Sequence, residues 1–304
     1  MLNQRGLSTA LILILVGGFT LALAVINHKP AYLANQIRST DEMSEDELSE
    51  SKIPDEVLTA LNQSITENRA VLGIQADGLS YHIPILMYHY VEHVKDPGDK
   101  IRISLNTLPE VLDKQLDTLV KANYNFITAS DLADILDGIK PAPPKPVILT
   151  FDDGYRDFYT DAFPILKKYG IKSVNYVVAG FLNKPNNLTV DQLKEISQSG
   201  LVEIGAHTVS HLALKGIGSK QLTAEVSSSR LQLEQVLGLS VTAFAYPYGS
   251  FDLNAIGAVK QAGFRTSVST VAGSSASNSV RFFIYRLRPG ARTGQSLIDL
   301  LEKN

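Results

Sequence analysis

The chain has 304 residues, a formal net charge of −3, no cysteine and no tryptophan. That balance gives no electrostatic reason to expect nucleic acid, which calls for a basic patch or stripe. Without cysteine there is no disulfide framework, any metal site must be built from His and carboxylates, and a sugar-facing surface must use Tyr or Phe.

The first element is an uncharged run, "GLSTALILILVGGFTLALAVIN", that follows Arg5. About 20 apolar residues span a bilayer core, whereas a signal-peptide core is about 7–15 long. Length therefore favours an uncleaved transmembrane helix over residues 1–27, although Ala22 and Ala24 suit a cleavage site. Both alternatives export the remainder. The expectation is a single-pass protein of the cell membrane with its main domain extracytoplasmic, or a secreted one if the segment is cleaved. Arg5 fits the positive-inside tendency, and Lys29 weakens the contrast. Residues 28–80 begin acidic and aromatic-poor, "STDEMSEDELSESK", the composition of a solvated, largely disordered stalk. A short helix is expected over residues 54–72.

From Tyr81 to the end, residues 81–304, apolar runs alternate with amphipathic segments. "IPILMYHYV" reads as a buried strand and "LPEVLDKQLDTLVKANY" as a helix. "ASDLADILDG" is a second helix, with Ser130 as N-cap and Gly138 past its end. "PVILTF" is continuously apolar, as a parallel strand covered on both faces should be. The rhythm continues through "DAFPILKKYG", "SVNYVVA", "TVDQLKEISQSG", "LVEIGAH", "LTAEVSSSRLQLEQVLG", "VTAFAYPYG", "LNAIGAVKQAG" and "FRTSVST". "FFIYRLRP" and "TGQSLIDLLEK" supply a last strand and helix. About seven alternations predict parallel strands joined by right-handed crossovers, either closed into a barrel or left as an open sheet. No glycine-rich phosphate loop follows the first strand, which counts against a nucleotide binder.

In either architecture chemistry gathers at the carboxyl ends of strands. Asp152 and Asp153 end one strand, His207 and His211 follow another, Tyr246 to Gly249 follow a third, and His89 lies late in the first. Two neighbouring carboxylates resist ionising together, so something positive is required beside them. His207 and His211, four apart, can face one point from a helical turn or a tight loop. Two His and a carboxylate commonly hold a catalytic zinc or similar ion. One aspartate can bind the ion while its neighbour serves as general base.

"TFDDGY", "HTVSH" and "FAYPYGSF", in this order and spacing, resemble the first three motifs of the polysaccharide deacetylase family. This is also called the NodB-homology family or carbohydrate esterase family four, and the likeness spans about residues 81–290. It implies a distorted (β/α) barrel of about seven parallel strands and metal-dependent removal of acetyl groups from N-acetylated sugars. Carried over by residue, Asp153, His207 and His211 are the metal ligands and Asp152 is the base. Tyr246, Pro247 and Tyr248 line the acetyl pocket, and the Tyr248 backbone N–H holds the developing oxyanion. "PILMYHYV" and "AYPYG" look most like the branch acting on exopolysaccharide or peptidoglycan amino sugars. The ion implied is divalent, zinc first, with cobalt, manganese or iron as alternatives. The partner implied is a peptidoglycan or poly-N-acetylglucosamine type of polymer.

Two departures from the family pattern stand out. Ala245 occupies the place of an arginine that orients the base, and no His follows His211, where many members carry one that protonates the leaving amine. Arg286 matches an arginine of the branch with the "YPYG" form and is expected to orient Asp152. His89 is the other candidate helper, and Asp152 could itself return its proton to the amine. Tyr155, Tyr246 and Tyr248 offer rings for sugar faces. The rival readings are an esterase of O-acetylated xylan and a sugar-binding domain that holds metal without turning over.

Overall fold

A computed structural model of the chain describes residues 80–304 and, before them, only the backbone of Ala10–Val16 and Phe19–Val25. The chain divides into two units, Met1–Ala76 and Asp77–Asn304. In the first, strands β1 (Ala10–Val16) and β2 (Phe19–Val25) pair antiparallel, with Val16 opposite Phe19 and Ala10 opposite Val25. This corrects the expected transmembrane helix. An apolar run with neither a helical nor an alternating period does not distinguish helix from strand, and the sequence itself carries a Gly-Gly pair inside this run. Among the described residues no helix is long and apolar enough to cross a membrane. The stalk expected over residues 28–80, with its short helix, lies outside the described residues save for Ser80.

The second unit carries the βα rhythm. Its strands are β3 (Tyr81–His82), β4 (Ile85–Tyr88), β5 (Asn125–Phe126), β6 (Pro146–Phe151), β7 (Ser173–Val177), β8 (Val202–Ala206), β9 (Ala243–Ala245), β10 (Thr266–Val268) and β11 (Ser275–Ala276). The helices are α1 (Lys100–Leu105), α2 (Pro109–Lys121), α3 (Ala129–Leu136), α4 (Phe163–Tyr169), α5 (Val190–Gln198), α6 (Ser219–Leu237), α7 (Leu253–Gln261) and α8 (Gln295–Glu302). The main sheet runs β10-β9-β8-β7-β6-β4, with β5 added against β6, and every pair is parallel. The expected strand in "FFIYRLRP" is a bridge of a different kind. Ile284 pairs with Val268 of β10 and Leu287 pairs with Leu86 of β4, so one short segment reaches both edges of the sheet. Backbone bonds from Ile284 N to Ser267 O (2.9 Å) and from Leu287 N to Ile85 O (2.8 Å) secure it. A curled six-strand sheet with this bridge is a distorted barrel.

The two faces of the sheet separate by alternation along each strand. Val147, Leu149 and Phe151 of β6 pack with Leu112 and Leu116 of α2, Leu166 of α4, Ile196 of α5 and Leu222 and Val226 of α6. Ile148 of β6 joins Ile85, Val174, Tyr176, Ala243, Val268 and Ile284 on the enclosed face. Gly205 of β8 supplies no side chain there, and the Tyr176 ring takes its place. Helix signals mostly hold. Thr189 caps α5 in a capping box with Gln192, and Gly170 and Gly238 end α4 and α6 in the left-handed conformation. The cap of α3 is Thr128, in a box with Asp131, and not Ser130. Ser130 instead sits inside the helix, where its backbone N–H and hydroxyl both donate to Glu203 of β8 (2.9 and 2.8 Å).

Gly205→Ala should destabilise the chain by about 1–3 kcal/mol, the usual cost of overpacking. Its Cβ would fall 2.4 Å from the Tyr176 ring, and a fall in urea midpoint checks it. A second expectation concerns Asp157, whose carboxylate accepts from Val91 N–H (2.6 Å). Burial pushes this carboxyl up from 3.8 to about 6. The folded chain thus binds the proton more tightly than the unfolded one, and the stability it contributes below about pH 4 fades as pH rises through 6, by about 3 kcal/mol. Asp157→Asn should flatten that part of the stability profile and make the variant the more stable form at pH 7, as denaturant midpoints at pH 4 and 7 would show.

Candidate metal centre and active site

The first motif begins where β6 stops. Asp152 N–H still donates to Tyr88 O of the neighbouring strand (3.0 Å), and then Asp153 (φ 77°) and Gly154 (φ 67°) turn left-handed in succession. A left-handed non-glycine residue is uncommon and costs about 1–3 kcal/mol. Here it sends the two neighbouring carboxylates to different partners.

Asp152 points at Arg286, which the bridging segment carries to the enclosed face. Arg286 Nη1 and Nη2 donate to Asp152 Oδ1 and Oδ2, both at 2.7 Å. The remaining guanidinium contacts go to Ser269 O (2.7 Å) and Thr150 Oγ1 (3.1 Å), and Thr150 in turn donates to Leu86 O (2.8 Å). Arg286 and Asp152 are 1% and 3% exposed, so the bidentate pair operates with little screening. Burial alone would raise the Asp152 carboxyl; the guanidinium outweighs it and holds the group below its ordinary value. This is the cation that the double aspartate required. His89 Nε2 lies 3.9 Å from Asp152 Oδ2, and burial lowers the pKa of that imidazole despite both aspartates.

Asp153 meets the second motif, which is a loop following β8 and not a helical turn. Its Oδ1 lies 3.3 Å from His207 Nε2 and 3.0 Å from His211 Nε2. His207 continues the ladder, donating its backbone N–H to Val177 O (2.9 Å), and its Nδ1 meets Ala245 O at 2.7 Å. Thr208 (φ 64°) and His211 (φ 60°) are again left-handed, and Thr208 Oγ1 accepts from His211 N–H (2.9 Å). Glu225 of α6 anchors the loop between them, accepting from Val209 N–H (3.0 Å), Ser210 N–H (2.9 Å) and the Ser210 hydroxyl (2.6 Å). His211 Nδ1 meets the Tyr248 hydroxyl at 3.0 Å.

These residues fit a divalent cation. One donor atom from each of Asp153, His207 and His211 lies within 4.8 Å of the other two. A carbonyl oxygen accepts at His207 Nδ1, which puts the proton there and leaves Nε2 with its lone pair toward Asp153. Asp153 Oδ1 is buried with no hydrogen-bond partner. The His207 lone pair and the His211 Nε2 both face this orphaned carboxylate oxygen, an arrangement that asks for a positive charge between them. Without an ion between them, burial would raise Asp153, and the two imidazoles, as protonated donors, hold its carboxyl well below the usual range. Burial would likewise lower His207, and the two aspartates raise it.

The third motif separates what was expected together. Tyr246 is fully buried, packs against Phe244 and Phe251, and donates its hydroxyl to Phe282 O (2.9 Å). Its ring belongs to the core and cannot cover a sugar, a correction whose cause is its inward place just after β9. Pro247 is buried as well, whereas Tyr248 is 61% exposed beside His211. Tyr155 is half-buried, its ring stacked on Tyr90 at 3.9 Å. Sequence reasoning missed Tyr90, Ser269, Thr150 and Glu225. Glu225 had a visible signal, a charge in the buried stripe Leu222, Glu225, Val226, Ser229, Leu233 of α6.

Comparison with known proteins agrees with this geometry. The polysaccharide deacetylase family matches residues 139–267. The chain is 29% identical over 206 residues to YxkH of Bacillus subtilis (strain 168), a protein assigned to the polysaccharide deacetylases, covering 68% of this chain and 71% of that one. It is 26% identical over 265 residues to the poly-beta-1,6-N-acetyl-D-glucosamine N-deacetylase of Escherichia coli (strain K12), covering 72% of this chain but only 39% of that longer protein. Among solved structures, the deacetylase PplD of Streptococcus pyogenes, in complex with acetate, superposes with a TM-score of 0.69 at 31% identity, over 74% of this chain and all of PplD. Likeness of that extent in both sequence and fold settles the kinship: the chain belongs to the polysaccharide deacetylase family, hydrolases that cleave acetyl amide bonds.

Proposed function

We propose that the chain is a metal-dependent deacetylase acting on N-acetylglucosamine units of an extracytoplasmic polysaccharide, and that the ion is zinc. One observation carries this reading: three donor atoms converge within 4.8 Å beside a second, separately neutralised aspartate. The E. coli relative's named substrate, a poly-N-acetylglucosamine, supports the polymer class. Location outside the cytoplasm belongs to the same reading, since such polymers lie there, and cell fractionation tests it.

Asp153, His207 and His211 would hold the divalent cation, which when bound would supply Lewis acidity at the acetyl carbonyl and ease loss of a proton from water. Asp152 accepts that proton. Arg286 keeps its carboxylate ionised and fixed in orientation, which prepares it to accept and also makes it a weak base. The backbone N–H of Tyr248 is the donor assigned to the developing oxyanion. The proton then passes from Asp152 to the leaving amine, the reverse of the first transfer, with the His89 imidazole 3.9 Å from Asp152.

Acetate release from a poly-β-1,6-N-acetylglucosamine oligomer should require zinc and be abolished by chelation. Asp152→Asn should lower the rate by about 10²–10⁴, the range for loss of a general base, while zinc still binds at one per chain. His207→Ala should lose both zinc and activity. Release from acetylated xylan alone would replace the amidase with an esterase, and zinc binding without release from any polymer would leave a sugar-binding domain. Separately, Arg286→Lys should lower both acetate release and the thermal midpoint, because an ammonium cannot reproduce two parallel contacts to one carboxylate.

A further inference from the structure

Tyr248 does something its place in the motif did not announce. The two metal-site imidazoles are oriented by different means. His207 has its Nδ1 against Ala245 O at 2.7 Å, in the buried end of β9, so the core sets its tautomer. His211 stands in the loop with its side chain 20% exposed, and the partner of its Nδ1 is the Tyr248 hydroxyl at 3.0 Å. The rings lie 4.6 Å apart at 58°. Tyr248 is itself held in place from behind. It has φ 59° in the turn Pro247–Gly249, and a Cβ on the next residue, Gly249 (φ 65°), would fall 2.0 Å from Thr270 Oγ1. The backbone is thus tightly seated while the side chain is open to solvent.

We propose that Tyr248 is a positioning residue for His211. Its hydroxyl oxygen accepts the Nδ1–H, which fixes the tautomer and keeps the Nε2 lone pair aimed at the cation beside Asp153. Of the two histidine ligands, one is therefore set by the core and the other by an exposed phenol at the mouth of the site. The hold of His211 on a cation is therefore adjustable from outside the core. This inference rests on the metal-centre reading above.

The test uses the full chain and zinc alone. Zinc affinity is measured by competition with a chromophoric chelator for the parent, Y248F, Y248A and Asp153→Ala, and cobalt-loaded samples are compared by electronic spectrum. Y248F should bind zinc about 10–100-fold more weakly, the usual effect of losing an outer partner of a metal ligand. Its cobalt spectrum should shift while the melting temperature of the zinc-free protein stays that of the parent. Y248A should match Y248F in zinc affinity, because the hydroxyl and not the ring carries the effect. If the parent binds zinc no better than Asp153→Ala, the metal-centre reading itself fails. If the parent binds and Y248F equals it in affinity and spectrum, only the role given to Tyr248 is overturned, and a loss confined to Y248A would overturn it in favour of ring packing.

Discussion

Arg286 against Asp152 is the contact from which the rest of the site follows. Two adjacent carboxylates at a buried strand end cannot both stay ionised without separate compensation. Asp152 receives a guanidinium with both of its outer nitrogens engaged, and Asp153 receives two imidazoles and the place for a cation. The arginine arrives on the segment Ile284–Leu287, which bonds to β10 on one side and β4 on the other. Joining the sheet's two edges and neutralising the first aspartate are therefore one structural event. Removing either member would strand a buried charge, at a cost of about 3–5 kcal/mol.

The second constraint is backbone strain concentrated where the chemistry is. Asp153, Thr208, His211 and Tyr248 all have positive φ, and all lie in loops that follow parallel strands. Such conformations persist only when their surroundings over-determine them. Each has its clamp: the β7 side chain Val177 packed against Gly154, Glu225 under the histidine loop, and Thr270 against Gly249. The strands supply rigidity, and the turns re-aim side chains that a straight continuation would have sent elsewhere. Tyr246 shows the opposite case. It keeps the direction of its strand and so ends in the core, although its neighbour two residues on reaches His211.

Legibility follows the range of the interactions involved. The βα rhythm, the cap at Thr189 and the place of each polar group at the end of its own strand could be read because each depends on residues within a few positions of one another. The amino-terminal apolar run could not, since hydrophobicity alone serves helix and hairpin equally. Ser130 carried a good capping signature, but Thr128 with Asp131 completed the box first and freed Ser130 for a distant carboxylate. Arg286 could be suspected only through the family likeness. Nothing local marks an arginine near residue 286 as the partner of an aspartate at residue 152.

What the amino-acid order determined by itself was the alternation that makes a parallel α/β unit and the kinds of donor, two imidazoles and a pair of carboxylates, available at its strand ends. Hydrophobic period and side-chain chemistry are properties of the chain alone. Which aspartate faces the histidines, which tyrosine is core and which is rim, and what holds each imidazole in its tautomer were decided only in three dimensions. Those choices turn on contacts between residues far apart in the chain and on left-handed turns that only the packed neighbours make tolerable.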